Sequence, residues 1–492
     1  MNQSEAWLLG SYRRLDVLQV PAFRSARAIA GVHAPRHSES VRLLPLSTDL
    51  PQELQPLADF VAGRAAPALP PLTALSLLLR YLASPQRYEP QNTYGVHRVV
   101  PSARCLYPCR LMLLARQHGT VQLYHYHGEH HALQACGERS DLAALLGEHD
   151  LALIGIAQFW AMADKYGEFA PFASALEAGM AQAQLNHLCA ALNWSADSLE
   201  ASETSMRQAA TLCQGDHEAV LYGLRCKVDE LSKALSALQP APGPTLLAAS
   251  HSSDTLDQRF AKLKPLCQLL STPPSSEPAV PQQDNAADHD DSPLPPPEIG
   301  LLQTMRRRNS GNDATGMAPR LNSLPGDSLG RMLSLWRALQ RRRLALPGEA
   351  SLRVAVAWLD ARSAPIGLYD GEAMPLRHCD DPHRFVEQLQ DSLPYEGMRY
   401  NMAGLKLNFM LCADLVDAAE QHGEAALRRL YLAAGAQAQD FSLAAAAHGL
   451  FARPVRMLRE QALETGYALP GQLVYQVLCG LNRSTNTSWE LM

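Results

Sequence analysis

The chain reads as an α+β protein that contains one domain twice. Two distant stretches are variants of a single helix: EAGMAQAQLNHLCAALNW, from Glu177 to Trp194, and LAAGAQAQDFSLAAAAHGLFARPVR, from Leu432 to Arg456. Both carry Ala-Gly and then Ala-Gln-Ala-Gln, with Met180 as one extra residue in the first. Each continues through an Ala-rich segment to a breaker, Asn193 or Gly449. Ahead of the helix, each half also has a set of β-rich runs, an alternation that predicts a small antiparallel sheet packed against several helices.

In the first half, Arg110 to His118 and Val121 to Tyr126 read as strands joined by the turn His118-Gly119, followed by a third strand, HALQA. The second half repeats the pattern as LRVAVAWLD and PIGLYDGEAMPL. Past the first duplicated helix, Ser195 to Leu238 reads as one or two polar-faced helices, with Asp197 or Ser198 able to cap the first. The stretch STPPSSEPAVPQQDNAADHDDSPLPPPE is too polar and too rich in proline to offset its chain entropy, so it reads as a spacer. A weaker break lies at QPAPGPT. Domain one is therefore expected over 1–240, a connector over 241–298 and domain two over 299–492.

Composition narrows the function classes. The 492 residues exceed one ordinary core, since a domain usually takes roughly 100–200 residues. A net charge of -6 supplies no basic footprint for nucleic acid. No charged-then-apolar segment opens the chain, and no apolar run reaches the ~18 residues of a membrane helix, so a cytoplasmic protein without membrane or nucleic-acid partners is expected. The ten cysteines show no CxxC pair and read as small core hydrophobes. His125, His127, His130 and His131 read as solvated hairpin residues, because no carboxylate or cysteine completes a ligand set at a known spacing; no metal is expected.

Four segments carry chemistry. Pro101-Ser102-Ala103 forms a turn of small residues before a strand, where backbone N–H groups can approach a planar ligand edge and Ser102 adds a hydroxyl. Lys165-Tyr166 lies just ahead of the duplicated helix, and burial would lower the lysine toward a proton-accepting form. Arg306-Arg307-Arg308-Asn309-Ser310 presents guanidinium forks and small hydrogen-bonding groups suited to a phosphate monoester. Arg453, Arg456 and Arg483 follow the second helix. Each segment read alone also fits a solvated loop or patch.

In order and spacing these segments resemble the nitroreductase superfamily and, within it, the SagB-type flavin dehydrogenases of azole-forming biosynthetic clusters. The likeness rests on VPSARCLYP, the LYHYHGEHHAL hairpin, the triplet Lys165-Tyr166-Gly167 and the helix stop Ala191-Leu192-Asn193. The resemblance implies two tandem nitroreductase-like domains forming an intramolecular pseudodimer. It implies FMN at their seam, with Pro101, Ser102 and Ala103 arriving from one half and Arg306, Arg307, Arg308, Ser310, Arg453, Arg456 and Arg483 from the other. Lys165 and Tyr166 become the implied catalytic residues. The implied reaction is dehydrogenation of an azoline, thiazoline or oxazoline, to the azole on a peptide or carrier-protein-bound substrate, with a cyclodehydratase or synthetase as partner. Another two-electron oxidation of a peptidyl or aminoacyl substrate, or a non-catalytic scaffold, are the rival readings.

The halves depart from the family pattern in complementary ways. Domain one keeps the Pro-Ser turn and Lys165-Tyr166, yet offers only AGRAAPAL around Arg64 as a phosphate element and an acidic post-helix segment, SADSLEASE. Domain two keeps the arginines but has Gln421-His422 where Lys-Tyr is expected, and no Pro-Ser turn. One surviving cofactor site and one decayed site are expected.

Overall fold

In the computed structural model, residues 18, 36–90, 92, 94–239, 241–247, 253–271, 297–311, 316–317, 319–394, 399–456, 458–483 and 489–491 are described. The proline-rich spacer lies, apart from its ends, outside them. The first half begins with β1 (Arg36–Pro45), α1 (Pro71–Ala83), β2 (Arg87–Tyr88) and β3 (Val96–His97). The strands β4 (Cys109–Gln117) and β5 (Thr120–His127) form the expected hairpin. Its turn residues, His118 and Gly119, have φ of 47° and 83°, the left-handed geometry that matches strand twist. After β6 (Ala132–Glu138), β7 (Leu151–Gln158), apolar up to its last residue, takes an inner place, α2 (Trp160–Tyr166) leads into α3 (Ala170–Ala191), and β8 (Ser195–Ser198), β9 (Glu218–Lys227), β10 (Ala241–Leu247) and α4 (Leu263–Ser271) complete the half.

The second half contains α5 (Leu301–Arg307), β11 (Gly316–Met317), α6 (Ser328–Arg341), β12 (Arg353–Trp358), β13 (Gly367–Tyr369), β14 (Pro375–His378), β15 (Arg399–Tyr400) and β16 (Leu407–Ala413). It ends with α7 (Leu415–His422), α8 (Ala426–Ala447), β17 (Phe451–Val455), β18 (Gln472–Gly480) and β19 (Trp489–Glu490). Its six-stranded sheet runs β14-β13-β12-β16-β18-β17, and the first half's eight-stranded sheet runs β10-β1-β6-β5-β4-β7-β9-β8. The last six strands of the larger sheet repeat the order of the smaller one.

An offset of 256 residues relates the two copies through this region. It takes the bulge at Gly155/Ile156 to that at Leu411/Cys412, Gly167 to Gly423, and the left-handed helix terminator Asn193 (φ 56°) to Gly449 (φ 77°). Helices α3 and α8 have 22 residues each, so Met180 is not an insertion. An added residue would rotate everything after it by about 100°. The two Ala-Gln-Ala-Gln runs therefore sit one position out of register with each other, and the alignment that joined them is corrected by the glycines.

All of α8 and all of α3 save Ala190 is buried. They cross at Gly179 and Gly435. A Cβ on Gly179 would lie 2.1 Å from the Leu432 carbonyl oxygen, and one on Gly435 would lie 2.1 Å from that of Leu176. The contact is reciprocal under the same offset. Beyond it, Gln439 donates to Gln184 at 3.0 Å, and Asp440 accepts from His187 and from Arg343, each at 2.7 Å. A single hydrophobic cluster runs through both halves, joining Leu75, Leu153 and Phe172 to Leu333, Phe409 and Phe441.

Further contacts lace the halves together. The Glu53 carboxylate accepts from the backbone N–H groups of Leu302 and Gln303 at 2.8 and 3.0 Å, satisfying the start of α5. At the other end, β19 pairs with β2, Trp489 against Tyr88. Among the described residues no helix is long and apolar enough to cross a membrane.

Three local expectations are corrected. Residues 195–198 form β8 beside the central, buried β9, so Ser195 to Leu238 is only partly helical; Ser198 caps a single 3-10 turn, and Ser202 caps the helix Glu203–Ala210. Residues 241–247, read as connector, pair with β1 as an edge strand. Of the hairpin histidines, His127 and His131 are buried, and His131 bridges the hydroxyls of Tyr126 and Ser76 at 2.7 and 2.8 Å. The reason is that β1 continues the sheet past β6 and α1 closes over that end.

Gly179→Ala and Gly435→Ala should each destabilise the protein by about 3 kcal/mol or more, the upper range for overpacking, because the obstructing atom is backbone. Gly326→Ala, where nothing lies within 4 Å, should be near neutral. Chemical denaturation of the three variants checks this.

Candidate functional site

The loop from Arg98 to Pro108 approaches the second half beside the helix crossing. Within it Pro101 is buried and Ser102 is half-buried. The Ser102 hydroxyl accepts from the Tyr107 N–H at 2.8 Å, and Ala103 starts a single 3-10 turn. The Arg104 guanidinium lies 5.3 Å from the centre of the Tyr166 ring. Tyr166 and the buried Lys165 close the last turn of α2.

The second half brings the turn after α5 to the same place. The buried Arg308 donates to the Arg98 carbonyl at 2.8 Å and to the Ser310 hydroxyl at 3.0 Å. Burial, then the neighbouring Arg87, lowers the Arg308 guanidinium to about 10. Its Nε has no hydrogen-bond partner, and no carboxylate lies within ion-pair distance among the described residues. The turn is fixed to β17, with Arg453 Nε donating to the Ser310 carbonyl at 2.6 Å and Ala452 N–H to Asn309 at 2.9 Å. Arg456 lies over the rings of Phe169 and Tyr431, 5.6 and 5.7 Å from their centres, and pairs with Glu460.

Not every expected residue joins this group. Arg306 donates to the Gln52 carbonyl at 2.9 Å and to the Tyr81 hydroxyl at 2.5 Å, which holds α5 to the first half. Arg307 is exposed. Arg483 is exposed too, and its backbone carbonyl accepts from Arg320 at 3.1 Å. Arg308, Ser310, Arg453 and Arg456 come from one half, and the Ser102 turn and Lys165-Tyr166 from the other.

One functional group escaped the sequence reading. Glu177, the one carboxylic acid of α3, is buried and hydrogen-bonded to Ser102, while its Oε2 has no partner. Burial, only partly opposed by Ser102 and Arg98, pushes it up to about 8. Tyr475 feels both Glu177 and Tyr166, and burial first, then these two groups, raise its hydroxyl. A lone acid amid alanines was the available signal.

The equivalent position on the far side of the crossing is built differently. The 256-residue offset puts Asp197 where Arg453 stands, Glu200 where Arg456 stands, Gln421-His422 where Lys165-Tyr166 stands, and Arg428 where Phe172 stands. Arg428 is buried, paired with Glu200 at 2.6 Å, and donates further to the carbonyls of Val220, Leu221 and Leu270. Arg64 is exposed and paired with Asp59. Acids thus replace the cations there, and α4 covers the place.

No protein-family model matches the sequence, and no curated protein does. Among solved structures, a putative nitroreductase from Anabaena variabilis aligns over 98% of this chain and 100% of its own, with a TM-score of 0.65 at 17% identity. A putative nitroreductase from Ralstonia eutropha covers 43% of this chain and 97% of its own at 20% identity and TM-score 0.30. A nitroreductase family protein from Clostridium difficile covers 38% and 88% at 12% identity and TM-score 0.26. Scores that low carry no structural argument, and the first match shows fold alone. The chain has a nitroreductase-like α+β fold.

The Glu177 shift links pH to stability. Its acid is raised in the folded state, so the folded protein holds a proton that the unfolded chain releases above pH 4.5. The stabilisation is full below that value and declines toward pH 8, by roughly 1.4 kcal/mol per unit. Denaturation at pH 5 and pH 8 should show this decline in the native protein and not in Glu177→Gln.

Proposed function

We propose that the chain is a fused pseudodimer of nitroreductase-like domains acting as a flavin-dependent oxidoreductase, with one FMN site at the seam beside Ser102 and Arg308. The observation that carries this reading is the buried Arg308, with an unpartnered Nε and no ion pair among the described residues, Glu89 acting on it only from a distance. A buried cation without a paired carboxylate suits an anionic group, and an FMN phosphate or electron-rich ring edge fits that chemistry. Arg308, Ser310, Arg453 and Arg456 would hold it, facing the Pro101-Ser102-Ala103 turn. Bound there, FMN would supply two-electron redox chemistry.

This chain's own groups do the rest. Lys165 or Tyr166 removes a proton from the substrate carbon, and the buried neighbours Phe169, Phe172 and Tyr431 keep water from the reacting face. The substrate we favour is an azoline on a peptide or carrier protein, oxidised to the azole, on the strength of the Lys165-Tyr166 pair and the sequence resemblance. On the far side, the Arg428–Glu200 pair already fills the corresponding place, which supports one cofactor per chain.

Purified protein should take up one FMN per chain. Arg308→Ala should weaken that binding by about 10–100-fold, the scale of a lost charge-assisted hydrogen bond. Lys165→Ala should retain flavin and lower turnover of a thiazoline peptide by ~10²-fold or more. Protein that stays colourless with added FMN, or a fully active Lys165 variant, contradicts the assignment.

A further inference from the structure

We propose that Cys105, His97 and Glu89 form a nucleophilic thiol centre that accepts an acyl group from an activated ester or thioester. Cys105 Sγ lies 3.7 Å from His97 Nδ1, and His97 Nε2 lies 3.2 Å from Glu89 Oε2. That is the relation a nucleophile, its base and an orienting acid require. The centre shares the Arg98–Pro108 loop with the proposed flavin site but needs no cofactor, so it stands or falls separately from that reading.

The acid fixes the imidazole tautomer. Burial pushes Glu89 up, but the His97 hydrogen bond, the Arg87 charge and the Asn92 amide outweigh it and hold the carboxyl at about 2. Arg87 Nε donates to it at 2.7 Å and Asn92 Nδ2 at 3.1 Å. An ionised Glu89 accepts the proton on Nε2, which leaves Nδ1 as the acceptor facing the thiol. Accessibility is graded in the useful direction: the His97 and Glu89 side chains are 14% and 2% exposed, and Cys105 is half-buried.

The backbone presents the sulfur at a strained turn. Arg104, Cys105 and Tyr107 have φ of 55°, 52° and 46°, conformations that non-glycine residues rarely take and that gather at functional sites. Sγ has a second acceptor, the Tyr94 carbonyl at 3.5 Å. Burial first raises the Cys105 thiol, opposed by Tyr107 and Arg308, while Glu177 and Glu89 add to the rise; burial lowers His97, opposed by Glu89 and reinforced by Arg87 and Arg308. The resting pair is therefore neutral, and the proton moves only on attack. In that step His97 Nδ1 takes the thiol proton, the S–C bond forms at the acyl carbon, the bond from that carbon to its leaving group breaks, and His97 returns the proton to the departing thiol or alcohol.

The full-length protein incubated with the acetyl thioester of N-acetylcysteamine, then digested and mapped by mass, tests this. Cys105 should be acetylated ~10²-fold faster than the exposed Cys136, with His97→Asn losing most of that advantage and Glu89→Gln part of it. Cys105→Ser should keep its fold and take no label in the peptide carrying position 105. Between about pH 7 and pH 8 the native rate should be nearly flat, because burial holds His97 below its ordinary value. An unassisted thiol would instead gain tenfold per unit. Labelling at Cys136 alone, a His97→Asn rate equal to the native one, or the tenfold slope overturns the proposal. Should His97→Asn fail to fold, the native pH profile and Glu89→Gln decide it.

Discussion

The reciprocal approach of Gly179 and Gly435 governs the rest of the molecule. A helix buried on every side cannot be stable on the surface of one sheet, because one face would remain in water. Each core helix covers its own sheet with one side and its twin with the other. Backbone-to-backbone contact, possible only without a Cβ, brings the helices close enough for that second burial. The polar groups of the crossing follow the same logic. Gln184, His187 and Asp440 find their partners across the seam or, for Asp440, also in Arg343, whose guanidinium is buried with it.

The crossing creates two related places and the side chains make them unlike. On one side Arg308 and Arg453 both hold Ser310, Arg456 lies over Phe169 and Tyr431, and Glu177 is buried beside Ser102. On the other, Glu200 and Arg428 neutralise each other in the interior. Removing one partner of such a pair leaves an uncompensated charge that typically costs about 3–5 kcal/mol, so the filled side is held closed by its own pair. The near-symmetric scaffold and the asymmetric charge distribution together are what the proposal of one cofactor site rests on.

Much of this was legible in the residues. The duplicated helix, its Asn193 and Gly449 terminators, the His118-Gly119 turn and the pairing of Lys165-Tyr166 with Gln421-His422 follow from periodicity, turn chemistry and spacing. The helix register did not, because two Ala-Gln runs align as well one residue out as in place and only the glycine contact distinguishes them. Nor did the sequence separate Arg308 from Arg306: residues two apart at a helix end point about 200° apart, and tertiary packing decides which faces inward. Strand β9 was hidden by its polar surroundings, and Cys105, His97 and Glu89 meet only through an aperiodic loop.

The central claim is that both halves share one interior. Its most direct measurement is site-specific cleavage within residues 272–296, through an inserted protease site, followed by sizing under native conditions. The two fragments should elute together at the volume of the intact chain and separate only in denaturant. Fragments that part in native buffer, each folded, would contradict it.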